Sequence, residues 1–161
     1  EFEMYPHKNI VEAGHKLAEL GVDVVLGSHP HVSQPMERYR TADGKQHLII
    51  YSLGDFVSYH PLSRNSKLTY IVRFDLAKGT AETGVPAVHI SDLKVKPVYI
   101  LCQELEGDRY DCRLLPFFEV LYDKENRYRL TDEERKDLPR LEQIVWRQIL
   151  MPQNPGDLIV P

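Results

Sequence analysis

Residues 21–31, which read Gly-Val-Asp-Val-Val-Leu-Gly-Ser-His-Pro-His, decide the fold that this sequence predicts. The apolar run at 22–26 is short, β-branched and bounded by glycines, which is typical of a strand covered on both faces of its sheet. In residues 8–20, just before it, apolar side chains recur at i, i+3, i+4, i+7 and i+8, which predicts an amphipathic helix. A helix, a glycine and an apolar strand form half of an α/β unit. We therefore predict an α/β fold, a layered sheet with helices, with α+β as the alternative.

The remainder of the chain predicts a series of strands and one further helix. Apolar or alternating runs predict strands at 35–40, 47–51, 68–76 and 88–99, with a turn at 41–44 and a loop at 78–86. A capping box at Thr131 and Glu134 begins a helix that we expect to reach Leu150, with a break or kink near Leu138 because Pro139 lacks a backbone N–H. We expect residues 1–120 to form one unit, with residues 121–161 as a helical extension packed on it that ends in an irregular tail at 152–161.

The two cysteines, Cys102 and Cys112, flank turn residues around Gly107 and adjoin apolar runs on both sides. A hairpin centred on Gly107 places them opposite each other, where Cβ atoms lie roughly 4.5–5.5 Å apart, close to disulfide reach. The pattern fits a disulfide and also fits two unbonded strand residues that face each other. A disulfide would indicate an oxidising compartment.

The composition excludes several classes of protein. With 42% hydrophobic and 27% charged residues, the chain is typical of a globular protein rather than a disordered one. A net charge of −4 with no basic cluster argues against a nucleic-acid partner. The longest apolar runs are strand-sized, far below the roughly 20 residues of a membrane-spanning helix. No signal peptide or lipid-attachment motif stands in these residues, and the first residue is Glu rather than Met, so an upstream secretion signal or anchor stays open.

The segment 27–31 is the strongest candidate for chemistry, because it follows the apolar strand at the end where open α/β sheets bind ligands. His29 and His31 are two residues apart, and Pro30 biases His29 toward extended backbone, so we expect both imidazoles to point the same way and share a metal site. Imidazole is a ligand for Zn, Fe and Mn-type ions. The alternative is a surface loop that contains two histidines without a metal, since two protein ligands are too few for a catalytic site.

Other polar residues near this loop are candidates for supporting roles. Ser28 in the loop and Gln34 just after it could contact a substrate or a ligand. Asp55 follows a glycine after the strand at 47–51, where it could bind a metal, accept a hydrogen bond from a ligating histidine, or only bond its own turn backbone. His60 follows a transition from strand to loop and could approach the same place.

Three stretches together resemble the CapA family of poly-γ-glutamate capsule-synthesis proteins. They are Glu1-Phe2 with Pro6, then Gly-Val-Asp-Val-Val-Leu-Gly-Ser-His-Pro-His-Val-Ser-Gln-Pro at 21–35, then Ile-Tyr-Ser-Leu-Gly-Asp-Phe at 50–56. The family pattern has a Gly-x-His-Pro-His-Val-x-Gln core and a Tyr-Ser-Leu-Gly-Asn-Phe segment. The match is dense over residues 1–56, and residues 68–79 resemble the strand that follows in the family. The chain is thus similar to the C-terminal part of a CapA domain.

The resemblance implies a fold similar to calcineurin-like metallophosphoesterases, here a partial sandwich with a mixed sheet and flanking helices. In those enzymes a Gly-His-x-His motif supplies ligands to a two-metal site, which carries over to His29 and His31 with Mn, Fe or Zn as the metal. Asp55 stands where the family has Asn. The family's upstream ligands are not in this chain, so we expect no metal held firmly by these residues alone, and little hydrolytic activity.

Two functions follow from the resemblance. The intact protein is either a metal-dependent hydrolase or a non-catalytic accessory protein for assembly of a surface polymer. Its partners would be poly-γ-glutamate, a polysaccharide or a phosphoester substrate, at the cell surface or in the periplasm, with an anchor upstream. Without the N-terminal half of the domain, one edge of the sheet would be unpaired. We expect that edge to bind the missing half as a separate chain, or to cause self-association.

Overall fold

The computed structural model describes residues 1–58, 60, 63–107 and 109–150, and it confirms a mixed α/β architecture with two small sheets and flanking helices. The predicted tail at 152–161 lies outside the described residues. In chain order the elements are α1 (Lys8–Glu19), β1 (Val24–Leu26), β2 (Met36–Arg40), β3 (Gln46–Ile50), a 3₁₀ turn (Arg64–Lys67), β4 (Leu68–Thr80), β5 (Pro86–Leu105), β6 (Arg109–Pro116), α2 (Phe117–Leu121), α3 (Asp132–Leu141) and a π-helical segment (Glu142–Leu150).

The first sheet is mixed and has the order β1-β3-β2, with β1 parallel and β2 antiparallel to β3. The central strand β3 is buried from His47 to Ile50. Helix α1 packs on this strand through its small residues, because a Cβ atom added at Gly14 would lie only 3.2 Å from the Ile49 side chain. Small residues on the buried face of α1, Gly14 and Ala18, therefore set how closely helix and sheet approach.

Strand β1 differs from its prediction in length and in burial. It covers only Val24–Leu26, at the edge of the first sheet, and Leu26 is 57% exposed rather than covered on both faces. Among the described residues only β3 pairs with β1. One edge of this apolar strand is therefore left unpaired.

The second sheet is antiparallel, in the order β4-β5-β6. The loop predicted at 78–86 is wrong, because β4 and β5 pair to their tips around a turn closed by a hydrogen bond from the amide of Ala81 to the carbonyl oxygen of Val85, at 2.8 Å. The Thr83 hydroxyl donates to the carbonyl oxygen of Asp43 in the β2–β3 turn, which supports the long hairpin at its tip. Strand β5 merges the predicted strand at 88–99 with the first arm of the cysteine hairpin.

The hairpin register pairs Cys102 with Cys112 as predicted, and the structure joins them in a disulfide. The sulfur of Cys102 also lies 3.4 Å from the carbonyl oxygen of Ser58. The cross-link therefore lies against the connection between β3 and β4.

One hydrophobic core joins the inner faces of both sheets to the C-terminal helices. Helix α2, which the sequence analysis missed, places Phe117 and Val120 in this core. The largest fully buried side chains of this core are Trp146, Tyr99, Phe117, Met36, Leu48, Ile50, Leu68, Leu93, Leu101, Leu141 and Leu150. Because full burial of a large apolar side chain is worth about 1.5–3 kcal/mol, residues 117–150 contribute substantially to the stability of the sheets they cover.

The capping box at the start of α3 is confirmed, with the Thr131 hydroxyl accepting from the Glu134 amide and the Glu134 carboxylate accepting from the Thr131 amide. No break occurs at Leu138, because the α-helix continues through Pro139 to Leu141. Its winding changes to π-helical at Glu142, three residues after Pro139. Burial of Leu138 and Leu141 in the core holds this turn helical despite the missing N–H. None of the described helices is long and apolar enough to cross a membrane.

Candidate metal centre

The candidate site forms where two neighbouring parallel strands end. Residues 27–31 follow β1 and residues 51–55 follow β3. Because the two strands are parallel, both segments lie at the same end of the sheet, where the strands have their carboxyl ends. The amide of Gly27 donates to the carbonyl oxygen of Ile50 at 2.7 Å, and the amide of Leu53 donates to the carbonyl oxygen of Gly27 at 3.3 Å. The two segments are thus hydrogen-bonded to each other just before the residues that carry the chemistry.

Gly27 is required by this close approach. A Cβ atom at this position would lie 2.2 Å from the carbonyl oxygen of Tyr51 and 2.9 Å from that of Ile50. Atoms do not approach so closely without displacing one another, so only glycine fits between the two strand ends.

The side chains that meet at this edge are His31, Asp55 and His60. The Nδ1 of His31 lies 2.8 Å from Oδ1 of Asp55, and Nε2 of His60 lies 3.5 Å from Oδ2 of the same carboxylate. One ligand atom from each residue lies within 4.8 Å of the other two. The Asp55 side chain is 10% exposed and the two imidazoles about one third exposed, so the group is accessible from one side.

Two imidazoles and a carboxylate match the ligand set of divalent transition metals such as Zn and Fe. In the structure Asp55 bonds the Nδ1 of His31, which is also how a carboxylate orients a ligating histidine and leaves its Nε2 for the metal. The residues present therefore fit a metal in two ways, with Asp55 as a ligand or as the group that orients His31.

The backbone around Pro30 differs from the sequence-based expectation. His29 was expected in extended geometry, but it has φ 104° and His31 has φ 61°, both in the left-handed region. The amide of Phe2 donates to the carbonyl oxygen of Pro30 at 2.8 Å, so the N-terminal segment stabilises this turn. His29 is exposed and its ring centroid lies 6.3 Å from that of His31. The two histidines are neighbours, but His31 faces Asp55 and His60 while no described contact joins His29 to either.

Phe2 forms one wall of the group, with its ring centroid 5.8 Å from that of His31 and 5.7 Å from that of His60. The buried Gln34 donates from its side-chain amide to the carbonyl oxygen of Glu3 at 2.8 Å, which anchors the N-terminal segment beside Phe2. Ser28 is exposed in the loop after β1. Among the described hydrogen bonds, neither Ser28 nor Gln34 contacts the His–Asp–His group.

His60 was only a weak candidate in the sequence. Its signal was a position after a transition from strand to loop, five residues beyond Asp55. The connection from β3 to β4 returns it to the edge where His31 lies, which no local sequence rule predicts.

The His–Asp–His group is a candidate metal site in a mixed α/β chain. Comparisons with known proteins show what the chain is similar to. Residues 1–60, which contain the whole group, match the model of the family described as bacterial capsule synthesis protein PGA_cap. The chain is 32% identical over 99 residues to the capsule biosynthesis protein CapA of Bacillus anthracis, covering 61% of this chain and 23% of that protein. It is 29% identical over 99 residues to the PGA biosynthesis protein CapA of Bacillus subtilis strain 168, covering 61% of this chain and 24% of that protein.

These comparisons support the resemblance to CapA-family proteins that the motifs indicated. The chain spans about a quarter of the length of the curated relatives that it matches. No solved structure matches it significantly.

Proposed function

We propose that the intact protein acts in the synthesis of a capsular polymer, poly-γ-glutamate or a polysaccharide, through a metallophosphoesterase-like domain. In this proposal His31, Asp55 and His60 hold a divalent transition metal, Mn, Fe or Zn, and His29 completes the site from the same loop. The observation that carries the proposal is the His31–Asp55–His60 group, which lies wholly inside the segment that matches the capsule synthesis family.

A bound metal would polarise a phosphoester or amide bond and supply a hydroxide nucleophile at neutral pH. The residues of this chain would hold the metal ligands in place and shield them. Asp55 holds the His31 ring in place through a 2.8 Å contact, and the Phe2 ring excludes water from one side of both imidazoles. The partly exposed side of the group is where a substrate would approach.

An accessory role without turnover is the second candidate, and the size of the ligand set favours it. The described residues that meet here supply three donors, whereas a two-metal hydrolytic site needs more. The remaining ligands would come from parts of the intact protein outside this chain. We propose that Ser28 and Gln34 either contact the substrate or support the metal site. Gln34 would act through the N-terminal segment.

The test is the metal content of the intact protein, measured by elemental mass spectrometry after loading with Mn, Fe or Zn. We expect bound metal in the wild type, with His31→Ala and His60→Ala losing it and His29→Ala weakening it. The matched control is His15→Ala, since His15 also contacts a carboxylate, that of Glu37 at 2.9 Å, with similar exposure, but away from this group.

Absence of metal from the wild type would contradict the metal site and leave the accessory role. Loss of metal from His15→Ala to the same extent would show that the variants act through folding rather than through ligands. A hydrolase is supported only if metal loss and loss of phosphodiester turnover occur in the same variants.

We further propose a location at the cell surface or in the periplasm, with an anchor outside this chain. The names of the relatives point to capsule biosynthesis, and the Cys102–Cys112 disulfide is typical of an oxidising compartment. Non-reducing mass spectrometry of the protein taken directly from cells would show this disulfide oxidised. Fully reduced cysteines would contradict the location.

The unpaired edge of β1 points to the partner of this chain. Leu20, Val22 and Leu26 are all exposed on or near this edge, and apolar strand edges pair with other strands. Because the relatives are about four times longer than the matched part, we propose that the remainder of the same protein covers this edge. Light scattering of this chain alone should show self-association, and a clean monomer would contradict the proposal.

A further inference from the structure

A second cavity lies directly beside the candidate metal centre and is lined by basic and polar side chains. It has a volume of about 360 Å³ and is formed by Phe2, Ser63, Arg64, Asn65 and Arg140. The Phe2 ring also contacts the imidazoles of His31 and His60. The cavity and the metal centre are therefore separated by a single aromatic side chain.

Two guanidinium groups in this cavity share one carboxylate. Arg140 makes a bidentate contact with Asp137, with its Nε 2.6 Å from Oδ1 and its Nη2 3.0 Å from Oδ2, and Arg64 also donates to Oδ1. Asp137 is only 7% exposed. Burial opposes its ionisation, but the hydrogen bonds from Arg140 and Arg64 lower the pKa of Asp137 below its usual value. Two positive charges against one negative charge leave the cluster with a net charge of +1.

The arrangement also leaves donors that point at no recorded partner. A guanidinium has five N–H donors in a planar fork. Arg140 uses three of its five, two on Asp137 and one on the Asn65 side-chain oxygen at 2.7 Å, while Arg64 has Asp137 as its recorded partner in the described part of the chain. The Arg64 side chain is 59% exposed, so it is accessible to a ligand from solvent.

The nearest charges lie around an adjoining cavity that Arg64 also lines. There Lys67 and Glu134 pair with each other at 2.9 Å, and the exposed Glu133 adds one further negative charge. The cavity beside Phe2 is lined by no carboxylate of the described residues.

From these contacts we infer that the cavity formed by Phe2, Ser63, Arg64, Asn65 and Arg140 is an oxyanion-binding subsite, which holds a carboxylate or phosphate group of an acidic chain. Asp137 positions both guanidinium groups, and Arg64 and Arg140 contact the oxyanion. Asn65 holds Arg140 through its side-chain oxygen while its side-chain nitrogen donates to Met4 Sδ at 3.1 Å. The Ser63 hydroxyl accepts from the Ser66 hydroxyl at 2.7 Å and keeps its own proton for donation. Guanidinium forks match the geometry of both oxyanions. The role of this subsite in holding a substrate next to the metal rests on the proposed function, whereas its binding of an anion does not.

The experiment measures anion binding by calorimetry with the intact protein, stripped of metal by EDTA and at low salt. The probes are pentaglutamate, for a polycarboxylate, and tripolyphosphate, for a phosphorylated compound. We expect at least one probe to bind, and Arg64→Gln to weaken it about tenfold through loss of a charge-assisted contact. The matched control is Arg40→Gln, since Arg40 is similarly exposed and paired with Glu82 on a surface away from this cavity.

The two probes separate the sources of the oxyanion, because tighter binding of pentaglutamate indicates a polycarboxylate and tighter binding of tripolyphosphate indicates a phosphoester. The inference is overturned if neither probe binds, if Arg64→Gln binds as the wild type does, or if Arg40→Gln loses as much affinity. Metal content is measured on Arg64→Gln in parallel and should be unchanged, as no described hydrogen bond or ion pair joins Arg64 to His31, Asp55 or His60. A wild type that takes up no metal on loading, yet binds the anion through Arg64 after EDTA treatment, would refute the metal site and leave the subsite standing.

Discussion

Substitution of Gly27 by alanine tests the link between the fold and the candidate site. The added Cβ would lie 2.2 Å from the Tyr51 carbonyl oxygen and 2.8 Å from its carbonyl carbon. Relief of this overlap requires the ends of β1 and β3 to separate by about 1 Å from their usual spacing. That movement lengthens the hydrogen bonds that Gly27 makes with Ile50, at 2.7 Å, and with Leu53, at 3.3 Å.

The cost follows from these two effects. Overpacking costs about 1–3 kcal/mol, and each of the two weakened hydrogen bonds about 1 kcal/mol, so we expect Gly27→Ala to lower the free energy of unfolding by about 3–5 kcal/mol. For a chain of this size that corresponds to a melting temperature lower by roughly 2–4 °C per kcal/mol. Because His31 and Asp55 follow the displaced segments, we also expect weaker metal binding.

Thermal unfolding followed by circular dichroism, together with a metal titration, measures both effects. The control is Gly84→Ala, at a turn where a Cβ meets no atom within 4 Å and only φ 81° is unfavourable, so it should cost about 1 kcal/mol and leave metal binding unchanged. Melting of Gly27→Ala within a degree or two of the wild type, with unchanged metal affinity, would refute this account of how the strand ends hold the site.

Three further predictions concern the stability of the remaining fold. Removing the disulfide with Cys102→Ser and Cys112→Ser together should cost about 3 kcal/mol in urea unfolding, since the cross-link closes a loop with a sequence separation of 10; an unchanged midpoint would contradict it. Thr131→Ala should cost about 1 kcal/mol by removing the capping box, and an unchanged stability would mean that the cap is not formed in solution. Burial disfavours the ionised Glu134 carboxylate, but hydrogen bonds from Thr131 and Lys67 lower its pKa overall. The carboxylate therefore stabilises the fold at pH values above 4.5, the ordinary pKa of the group, and this stabilisation is lost as the pH falls below 4.5. Glu134→Gln should therefore flatten the decrease in melting temperature between pH 6 and about pH 3, and an equally steep decrease would contradict the assignment.

Local patterns in the sequence predicted the elements that depend on near neighbours. The apolar spacing of residues 8–20 gave the position of α1 to within one residue, and Thr131 with Glu134 marked the start of α3. The turn chemistry around Gly107 placed Cys102 opposite Cys112. Each of these signals acts over a few residues, which is why sequence alone was sufficient.

Predictions that depended on distant residues were less successful. The length of β4 and β5 is supported by the contact of Thr83 with Asp43, which are far apart in sequence. The turn at Pro30 is stabilised by Phe2, so the extended backbone expected for His29 was wrong. Helix α2 is short and owes its burial to a core built from both sheets, so its own sequence carries little periodic signal.

For the candidate site, local patterns indicated the resemblance to the CapA family, the histidine loop after an apolar strand, and Asp55 and His60 as candidates. The folded chain was needed to show that His31 rather than His29 meets Asp55, that His60 joins them, and that Arg64 and Arg140 line a cavity beside Phe2. The physical reason is that ligand types are a local property of the chain. Which of them come within a few ångströms of each other depends on strand pairing and on connections that close between residues dozens of positions apart.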